Sequence, residues 1–301
     1  MTHVATLIAA PDTRLTDDLI ARARTALPQA TDIHWLDRGV AADIAFIPEG
    51  PADQKPLGAH LRAALAGAPL DIAIQPLAHR RKKLLVADMD STMISQECID
   101  ELADLVGLKA HVSAITERAM RGEIAFEPAL RERVALLKGL PVTVVDEVIG
   151  NRITLMAGAR TLVATMRAHG AHTVLVSGGF SLFTRKVAAM IGFDENHANT
   201  LLVENETLTG FVEEPILGRE AKLDTLLEVA RDKQLPLEET LAVGDGANDL
   251  AMIGRAGLGV AYHAKPAVAA AADVRIDHGD LTALLYLQGY RRDELVENHG
   301  Q

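Results

Sequence analysis

Short, unbroken apolar runs recur through the later part of the chain and constrain its fold more than any other feature. The runs are Leu84–Ala87, Thr173–Val176, Thr240–Val243, Leu258–Ala261 and Val274–Ile276. Runs of this kind are typical of strands that are buried on both faces, as in a parallel sheet flanked by helices. The pattern therefore predicts an α/β fold with a Rossmann-like parallel sheet.

Polar residues directly follow three of these predicted strands. Asp88 follows the first, Ser177-Gly178-Gly179 the second, and Gly244-Asp245-Gly246 the third. In open α/β sheets, ligands bind outside the carboxyl ends of the strands. We therefore expect these residues to contribute to one site.

The first 78 residues have a different rhythm, which predicts the order βαββαβ. This order indicates a small α+β domain of the ferredoxin-like or ACT-like kind over residues 1–78. The basic run 79–83 is predicted to be a solvated linker. Residues 79–301 then form the α/β domain, and a helical insertion at about 93–152 forms a cap over its strand ends.

Composition excludes several classes of function. The net charge of -11 argues against general binding to nucleic acid or to an anionic membrane surface. The one cysteine, Cys98, allows no internal disulfide and favours the cytoplasm. No apolar run approaches the roughly 18 residues of a membrane span, and no signal peptide is evident. The sequence leaves the oligomeric state open.

The strongest chemical signal is the pair Asp88 and Asp90, which leaves the end of a buried strand. Residues i and i+2 of an extended chain point to the same side, so the two carboxylates repel each other. A divalent cation compensates for this repulsion, and it also offsets the charge of a phosphate monoester. One carboxylate can attack phosphorus, and the other can protonate the departing alkoxide. An isolated Asp-x-Asp pair is more often structural, but its place after a strand and before Ser-Thr favours catalysis.

The remaining motifs are open to more than one interpretation. The segment Ser177–Gly179 is either an anion cradle or an ordinary turn. Asp245, Asn248 and Asp249 suit a magnesium site, although a helix N-cap explains part of the pattern. Lys222 stands near a predicted helix start, where a cation is unfavourable. This misfit suggests phosphate binding, whereas a surface position is the simpler explanation.

In this order, the motifs resemble the haloacid dehalogenase superfamily and, within it, the phosphoserine phosphatase family. The matching segments are 88–92 with Glu97, 119–126, 130–134, 177–180, Lys222 and 244–249. The resemblance covers about residues 83–287 and leaves the N-terminal 78 residues outside, although some members of the family carry an ACT-like domain there.

The resemblance implies a phosphoryl-transfer site. Asp88 is expected to be the nucleophile and Asp90 the general acid and base. Mg²⁺ is expected to bind the carboxylates of Asp88 and Asp245 and the backbone carbonyl of Asp90. The groups expected to hold the phosphoryl oxygens or to support the metal site are Ser177, Gly178, Lys222, Asn248 and Asp249.

The resemblance also implies a substrate. Glu97 is expected to bind the ammonium group of O-phospho-L-serine and Arg133 its carboxylate, while Met120 and Phe126 line the cap pocket. A carboxylate and an arginine complement an amino acid in charge. Without the resemblance, Glu97 and Arg133 are simply solvated helix residues. The implied reaction is hydrolysis of phosphoserine to serine and phosphate, the last step of serine biosynthesis.

Two alternatives stay open. One is another small phosphomonoester phosphatase or phosphotransferase of the same superfamily, because only the cap residues discriminate between substrates. The other is an amino-acid-sensing regulatory protein built on residues 1–78. A P-loop, an HExxH zinc motif and a paired-cysteine zinc motif do not occur in the sequence.

Overall fold

The computed structural model describes residues 1–50 and 54–297, and the side chains of residues 54, 55 and 120 lie outside that description. The elements begin with β1 (His3–Ala9), α1 (Asp17–Thr25), β2 (Ile33–Asp37), β3 (Ala41–Phe46), α2 (Gln54–Ala64), β4 (Leu70–Pro76) and β5 (Leu84–Ala87). They continue with α3 (Cys98–Asp104), α4 (Lys109–Met120), α5 (Phe126–Ala135), α6 (Val144–Asn151), α7 (Ala159–Ala168), β6 (His172–Phe180), α8 (Ser181–Ile191) and β7 (Glu195–Asn199). The last are β8 (Leu201–Glu204), β9 (Thr207–Val212), α9 (Arg219–Asp232), β10 (Thr240–Gly244), α10 (Leu250–Ile253), β11 (Leu258–Tyr262), α11 (Pro266–Ala271), β12 (Val274–Ile276) and α12 (Ala283–Leu287). Over the described part of the chain, no helix has the length and apolarity needed to cross a membrane.

Dense internal contacts divide the chain into two units. The first unit comprises residues 1–83, 157–171 and 274–301, and the second comprises residues 84–156 and 172–273. The N-terminal segment thus groups with α7 and the C-terminal residues. The domain boundary expected at residue 78 and the extent expected for the cap stay predictions.

The sheet of the first unit is antiparallel, with the strand order β2-β3-β1-β4. Its alternate residues, such as Leu7, point to one side, where Ile20 of α1 and Leu61 of α2 join the same apolar core. The Thr16 hydroxyl caps α1 by accepting a hydrogen bond from the Leu19 amide. The order of elements confirms the predicted α+β arrangement βαββαβ.

Polar side chains on the other face of this sheet bind residues that follow it within the same unit. The Asp71 carboxylate accepts hydrogen bonds from the amides of residues 277–279. The Arg80 guanidinium donates to both oxygens of Asp43, at 2.5 and 2.8 Å. The prediction that the run 79–83 is a solvated linker is therefore wrong at Arg80, because a bidentate partner holds this guanidinium against the sheet.

The second unit contains parallel strands in the order β11-β10-β5-β6-β7. All residues of β5 are fully buried, which fits a strand covered on both faces. The predicted Rossmann-like parallel sheet is confirmed. Its topology places the carboxyl ends of β10, β5 and β6 side by side.

Helices α3 to α6 form the insertion that follows β5. α3 packs against α4, and α4 packs against α5. Ile115, Ala119 and Ala129 form a small apolar cluster between these helices. The chain turns after α4 at Gly122, whose φ of +75° favours glycine. These helices correspond to the helical insertion that the sequence predicts.

The strands β8 and β9 pair antiparallel as a hairpin. Its turn residues Asn205 and Glu206 both have positive φ, as in the turns that suit two-residue hairpin loops. The first strand of the hairpin begins at Leu201, and Asn199 ends the preceding strand β7.

Candidate active site

Three strands and one helix of the second unit bring polar side chains together. Asp88 follows β5, Ser177 lies in β6, and Asp245 follows β10. Lys222 comes from α9, and its ammonium group donates to Asp88 Oδ1 at 2.5 Å. Lys222 is fully buried, which excludes the alternative of a surface lysine. The structure thus gathers the residues that the sequence expects at one site.

Negative charge is concentrated around Lys222. Its ammonium group also donates to Asp249 Oδ1 at 2.6 Å. Burial opposes the charge of Lys222, but Asp249 and Asp88 outweigh this effect and raise its pKa. Burial and the neighbouring Asp249 raise the pKa of Asp88 well above its usual range and that of Asp245 to about 7. The Lys222 ammonium group therefore pairs with Asp88 and Asp249, while Lys265 and Lys222 both oppose the raised pKa of Asp245.

This donor set fits a divalent cation. One oxygen from each of Asp88, Asp245 and Asp249 lies within 4.8 Å of the others. Asp88 Oδ2, Asp245 Oδ1 and Asn248 Oδ1 are buried without a hydrogen-bond partner in the described residues. Buried oxygens of this kind are costly unless a cation or a ligand engages them, and carboxylate and amide oxygens are ligands that Mg²⁺ prefers.

Two hydrogen bonds fix the carboxylate of Asp90. Its Oδ1 accepts from the Cys98 amide at 2.8 Å, and its Oδ2 accepts from the Ser177 hydroxyl at 3.1 Å. Burial raises the pKa of Asp90, although the Cys98 and Ser177 hydrogen bonds oppose the shift. A buried carboxyl group that retains its proton at higher pH is suited to general acid catalysis. The predicted metal contact of Asp90 through its backbone carbonyl stays a prediction.

The loop after Ser177 depends on close backbone packing. A Cβ atom at Gly178 would lie 2.7 Å from the Phe126 ring, so glycine lets the cap helix α5 approach this loop. The Gly179 amide donates to the Ser177 hydroxyl at 2.8 Å and fixes its position. The Phe126 ring therefore packs directly on the Gly178 backbone.

Asn199 links this loop to the helix that carries Lys222, a role that the sequence did not indicate. Its side-chain amide donates to the carbonyl of Gly178 at 2.9 Å and to that of Leu217 at 3.1 Å. Its Oδ1 accepts from the Leu217 amide at 2.6 Å. The partners lie 21 and 18 residues away, so no local sequence signal marks this residue.

A cavity above the strand ends gathers most of the predicted residues. Its lining includes Asp88, Asp90, Glu97, Phe126, Arg133, Ser177, Gly178 and Asn248. Lys222 and Asp245 are buried next to Asp88 and do not line it. The side chain of Met120 lies outside the described residues. Residues from the strand ends and from helix α5 thus face one cavity.

Glu97 and Arg133 bring opposite charges to the wall of this cavity. The Ser91 hydroxyl donates to Glu97 Oε1 at 2.7 Å. Burial and the nearby Asp90 raise the pKa of Glu97 well above its usual range. Burial lowers the pKa of Arg133, although Glu97 and Asp100 oppose this shift. Arg133 is only 4% exposed, so it is not a solvated helix residue.

Comparison with known proteins agrees with the fold. The model of the haloacid dehalogenase-like hydrolase family matches residues 85–254, a range that includes Asp88, Ser177, Lys222 and Asp245. The chain belongs to this family.

Named relatives within the family are phosphoserine phosphatases. The chain is 43% identical over 242 residues to phosphoserine phosphatase SerB2 of Mycobacterium tuberculosis, which covers 80% of this chain but only 59% of that protein. It is 46% identical over 226 residues to a phosphoserine phosphatase of a Polaromonas species, covering 73% of this chain and 96% of that protein.

Solved structures show the same architecture. A family hydrolase of Salmonella enterica serovar Typhi has a TM-score of 0.84 at 29% identity and covers 95% of this chain and 98% of its own. A phosphoserine phosphatase with an analogue of the phospho-aspartyl intermediate has a TM-score of 0.65 at 41% identity, covering 68% of this chain and 98% of its own.

Proposed function

We propose that this protein hydrolyses O-phospho-L-serine to L-serine and phosphate through a phosphorylated Asp88. The observation that carries the proposal is the shared cavity, which combines Asp88, Asp90 and Ser177 with Glu97 and Arg133. The first three suit transfer of a phosphoryl group. The last two complement the ammonium and carboxylate groups of an amino acid.

Asp88 is the nucleophile. Lys222 donates to its Oδ1, and its Oδ2 accepts no hydrogen bond from the described residues. A new bond forms between a carboxylate oxygen of Asp88 and phosphorus while the bond from phosphorus to the serine oxygen breaks. The departing oxygen takes the proton of the Asp90 carboxyl group, which yields serine. Proton transfer of this kind contributes about 10²–10⁴-fold to the rate.

The second step regenerates the enzyme. The Asp90 carboxylate accepts a proton from a water molecule as that water attacks phosphorus, and the bond to Asp88 breaks. Ser177, the Gly178 amide and Lys222 hold the phosphoryl oxygens in both steps. Donors fixed before the reaction stabilise the charge that develops in the transition state.

Mg²⁺ is the proposed cofactor, held by the carboxylates of Asp88 and Asp245 and the backbone carbonyl of Asp90, with Asn248 and Asp249 in support. The proposal is supported by the cluster of buried oxygens around Asp88 and Asp245. When bound, the ion neutralises phosphate charge.

Substrate choice is assigned to the cap. We expect Glu97 to bind the ammonium group of the substrate and Arg133 its carboxylate, with Met120 and Phe126 lining the pocket. Arg133→Ala should raise KM for phosphoserine and leave hydrolysis of p-nitrophenyl phosphate almost unchanged. Equal losses on both substrates would contradict this assignment.

The direct test is phosphate release from phosphoserine, with phosphothreonine and a sugar phosphate as competitors. The unaltered protein should prefer phosphoserine, depend on Mg²⁺, and lose turnover in Asp88→Asn. A preference for the sugar phosphate would favour another phosphatase of the superfamily. Activity that survives in Asp88→Asn would exclude the covalent route.

The same proposal places the enzyme at the last step of serine biosynthesis, because its product is serine. We propose the cytoplasm as its location, which is supported by the single cysteine of the sequence. Since the chain spans 59% of the mycobacterial relative, these assignments concern the segment that the two share.

A further inference from the structure

A chain of buried hydrogen bonds crosses the cap and ends at Arg133. Asp100 of α3 accepts from the Thr116 hydroxyl at 2.8 Å through Oδ1 and from the Ser113 hydroxyl at 2.6 Å through Oδ2. The Thr116 hydroxyl also lies 3.0 Å from the Val112 carbonyl of its own helix, a longer contact than the one to Asp100. Its oxygen accepts from Arg133 Nη1 at 2.9 Å. Thr116 therefore stands between a carboxylate and the guanidinium that is expected to bind the substrate.

Burial makes this arrangement rigid. Asp100 is 9% exposed, and Thr116 and Arg133 are each 4% exposed. Arg133 Nε donates to the Ala129 carbonyl at 3.0 Å, so two anchors fix the plane of the guanidinium. Its Nη2 has no hydrogen-bond partner within residues 1–50 and 54–297, and Arg133 lines the cavity. Donor capacity is thus left for a carboxylate.

The same hydrogen bonds also connect to the helix next to Glu97, the residue expected to bind the substrate ammonium group. Glu97 immediately precedes α3, and Asp100 lies in the first turn of that helix. The Asp100–Thr116 bond therefore ties α3 to α4, and the Arg133–Thr116 bond ties α4 to α5, which carries Arg133. We expect the separation of Glu97 and Arg133 to depend on these two bonds.

We propose that Thr116 is a positioning residue that sets the specificity of the site for α-amino-acid phosphates. The Thr116 hydroxyl gives its proton to Asp100 and presents its lone pair to Arg133, which holds the cation away from the buried carboxylate. Without the hydroxyl, the attraction of Asp100 draws the guanidinium toward α3 and away from the substrate. This inference rests on the proposed function.

The test compares Thr116→Val, which keeps the shape but removes the hydroxyl, with Thr116→Ser, which keeps the hydroxyl. Thr116→Val should raise KM for phosphoserine about tenfold, equivalent to about 1.4 kcal/mol, with kcat changed less than about twofold. Hydrolysis of p-nitrophenyl phosphate, which has no carboxylate or ammonium group, should stay within about twofold. Thr116→Ser should restore KM for phosphoserine.

Two further variants separate positioning from cap packing. Ser113→Ala removes the other hydroxyl on Asp100 without touching Arg133, and it should leave KM nearly unchanged. Adding Thr116→Val to Arg133→Ala should cause no further loss, because the two residues act through one contact. An effect of Ser113→Ala equal to that of Thr116→Val, or equal losses on both substrates, would overturn the inference.

Failure of the proposed function gives a different result. In that case the unaltered protein itself would show no preference for phosphoserine over p-nitrophenyl phosphate. Both the proposed function and the role of Thr116 would then be rejected. If the preference holds but Thr116→Val matches the unaltered protein, only the role of Thr116 is rejected.

Discussion

Lys222 shows how the fold decides the role of a single residue. From sequence, a lysine at the start of a helix fits either a surface position or a phosphate contact. In the structure it is fully buried and pairs with Asp88 and Asp249. These two carboxylates offset the unfavourable interaction between a lysine and a helix N-terminus.

Lys222→Met should leave two buried carboxylates without their cation. We expect a loss of about 3–5 kcal/mol in the free energy of unfolding in EDTA, because removing one member of a buried ion pair strands the other. Turnover should fall by about 10²-fold or more on every phosphomonoester. Urea unfolding and phosphate release measure the two effects. The control is Lys233→Met, which changes an exposed lysine at the end of the same helix. Equal stability of the two variants would contradict a stabilising role of the buried ion pairs.

At the scale of elements, local patterns predicted the strands well. The predicted strand Leu84–Ala87 coincides with β5, and the other runs fall within β6, β10, β11 and β12. Burial on both faces leaves a continuous apolar run that is visible in sequence. The positions of Asp88, Ser177 and Asp245 at the strand ends were predictable for the same reason, because chain topology fixes where parallel strands end.

Contacts between distant elements were not predictable from local sequence patterns. Asn199 and Thr116 are ordinary polar residues in sequence. Their roles depend on hydrogen-bond partners that lie 16 to 21 residues away along the chain. The sequence predicts that Arg80 is part of a solvated linker, because its partner Asp43 lies 37 residues away along the chain. Periodicity reports which face of an element is buried, but it does not report which polar groups meet there.

Asn199→Ala should impair phosphate handling without changing substrate preference. Its amide joins the Gly178 loop to the segment that leads into α9. We propose that this loop and Lys222 of α9 hold phosphate rather than serine. We expect turnover of phosphoserine and of p-nitrophenyl phosphate to fall by the same factor, about 10-fold to 100-fold, because the groups lose their relative orientation. Asn196→Ala, on the same strand, removes a bond to Thr184 only and serves as the control. A loss confined to phosphoserine would count against this role.

At the scale of the whole molecule, the metal-free site opposes folding. Burial and Asp249 raise the pKa of Asp245 to about 7 from an ordinary 3.8. The folded protein therefore retains a proton that the unfolded chain has released. The stability that this proton contributes is fully present at low pH and is lost as the pH rises through about 7.

In EDTA, the urea midpoint should therefore fall between pH 6 and pH 8. The fall should be smaller in Asp245→Asn, which has no proton to lose at this position. Mg²⁺ should raise the midpoint at pH 8 more than at pH 6, because it binds the ionised folded form. A midpoint that is insensitive to both pH and Mg²⁺ would contradict a buried metal site at this position.

The most direct measurement is the capture of the phosphoryl group on the protein. The enzyme is mixed with phosphoserine that carries labelled phosphate, quenched in acid within one turnover, and digested for peptide mapping. The account predicts an acyl phosphate, released by hydroxylamine, on the peptide that contains Asp88, and no label in Asp88→Asn. Label on another residue, or full turnover by Asp88→Asn, would contradict it.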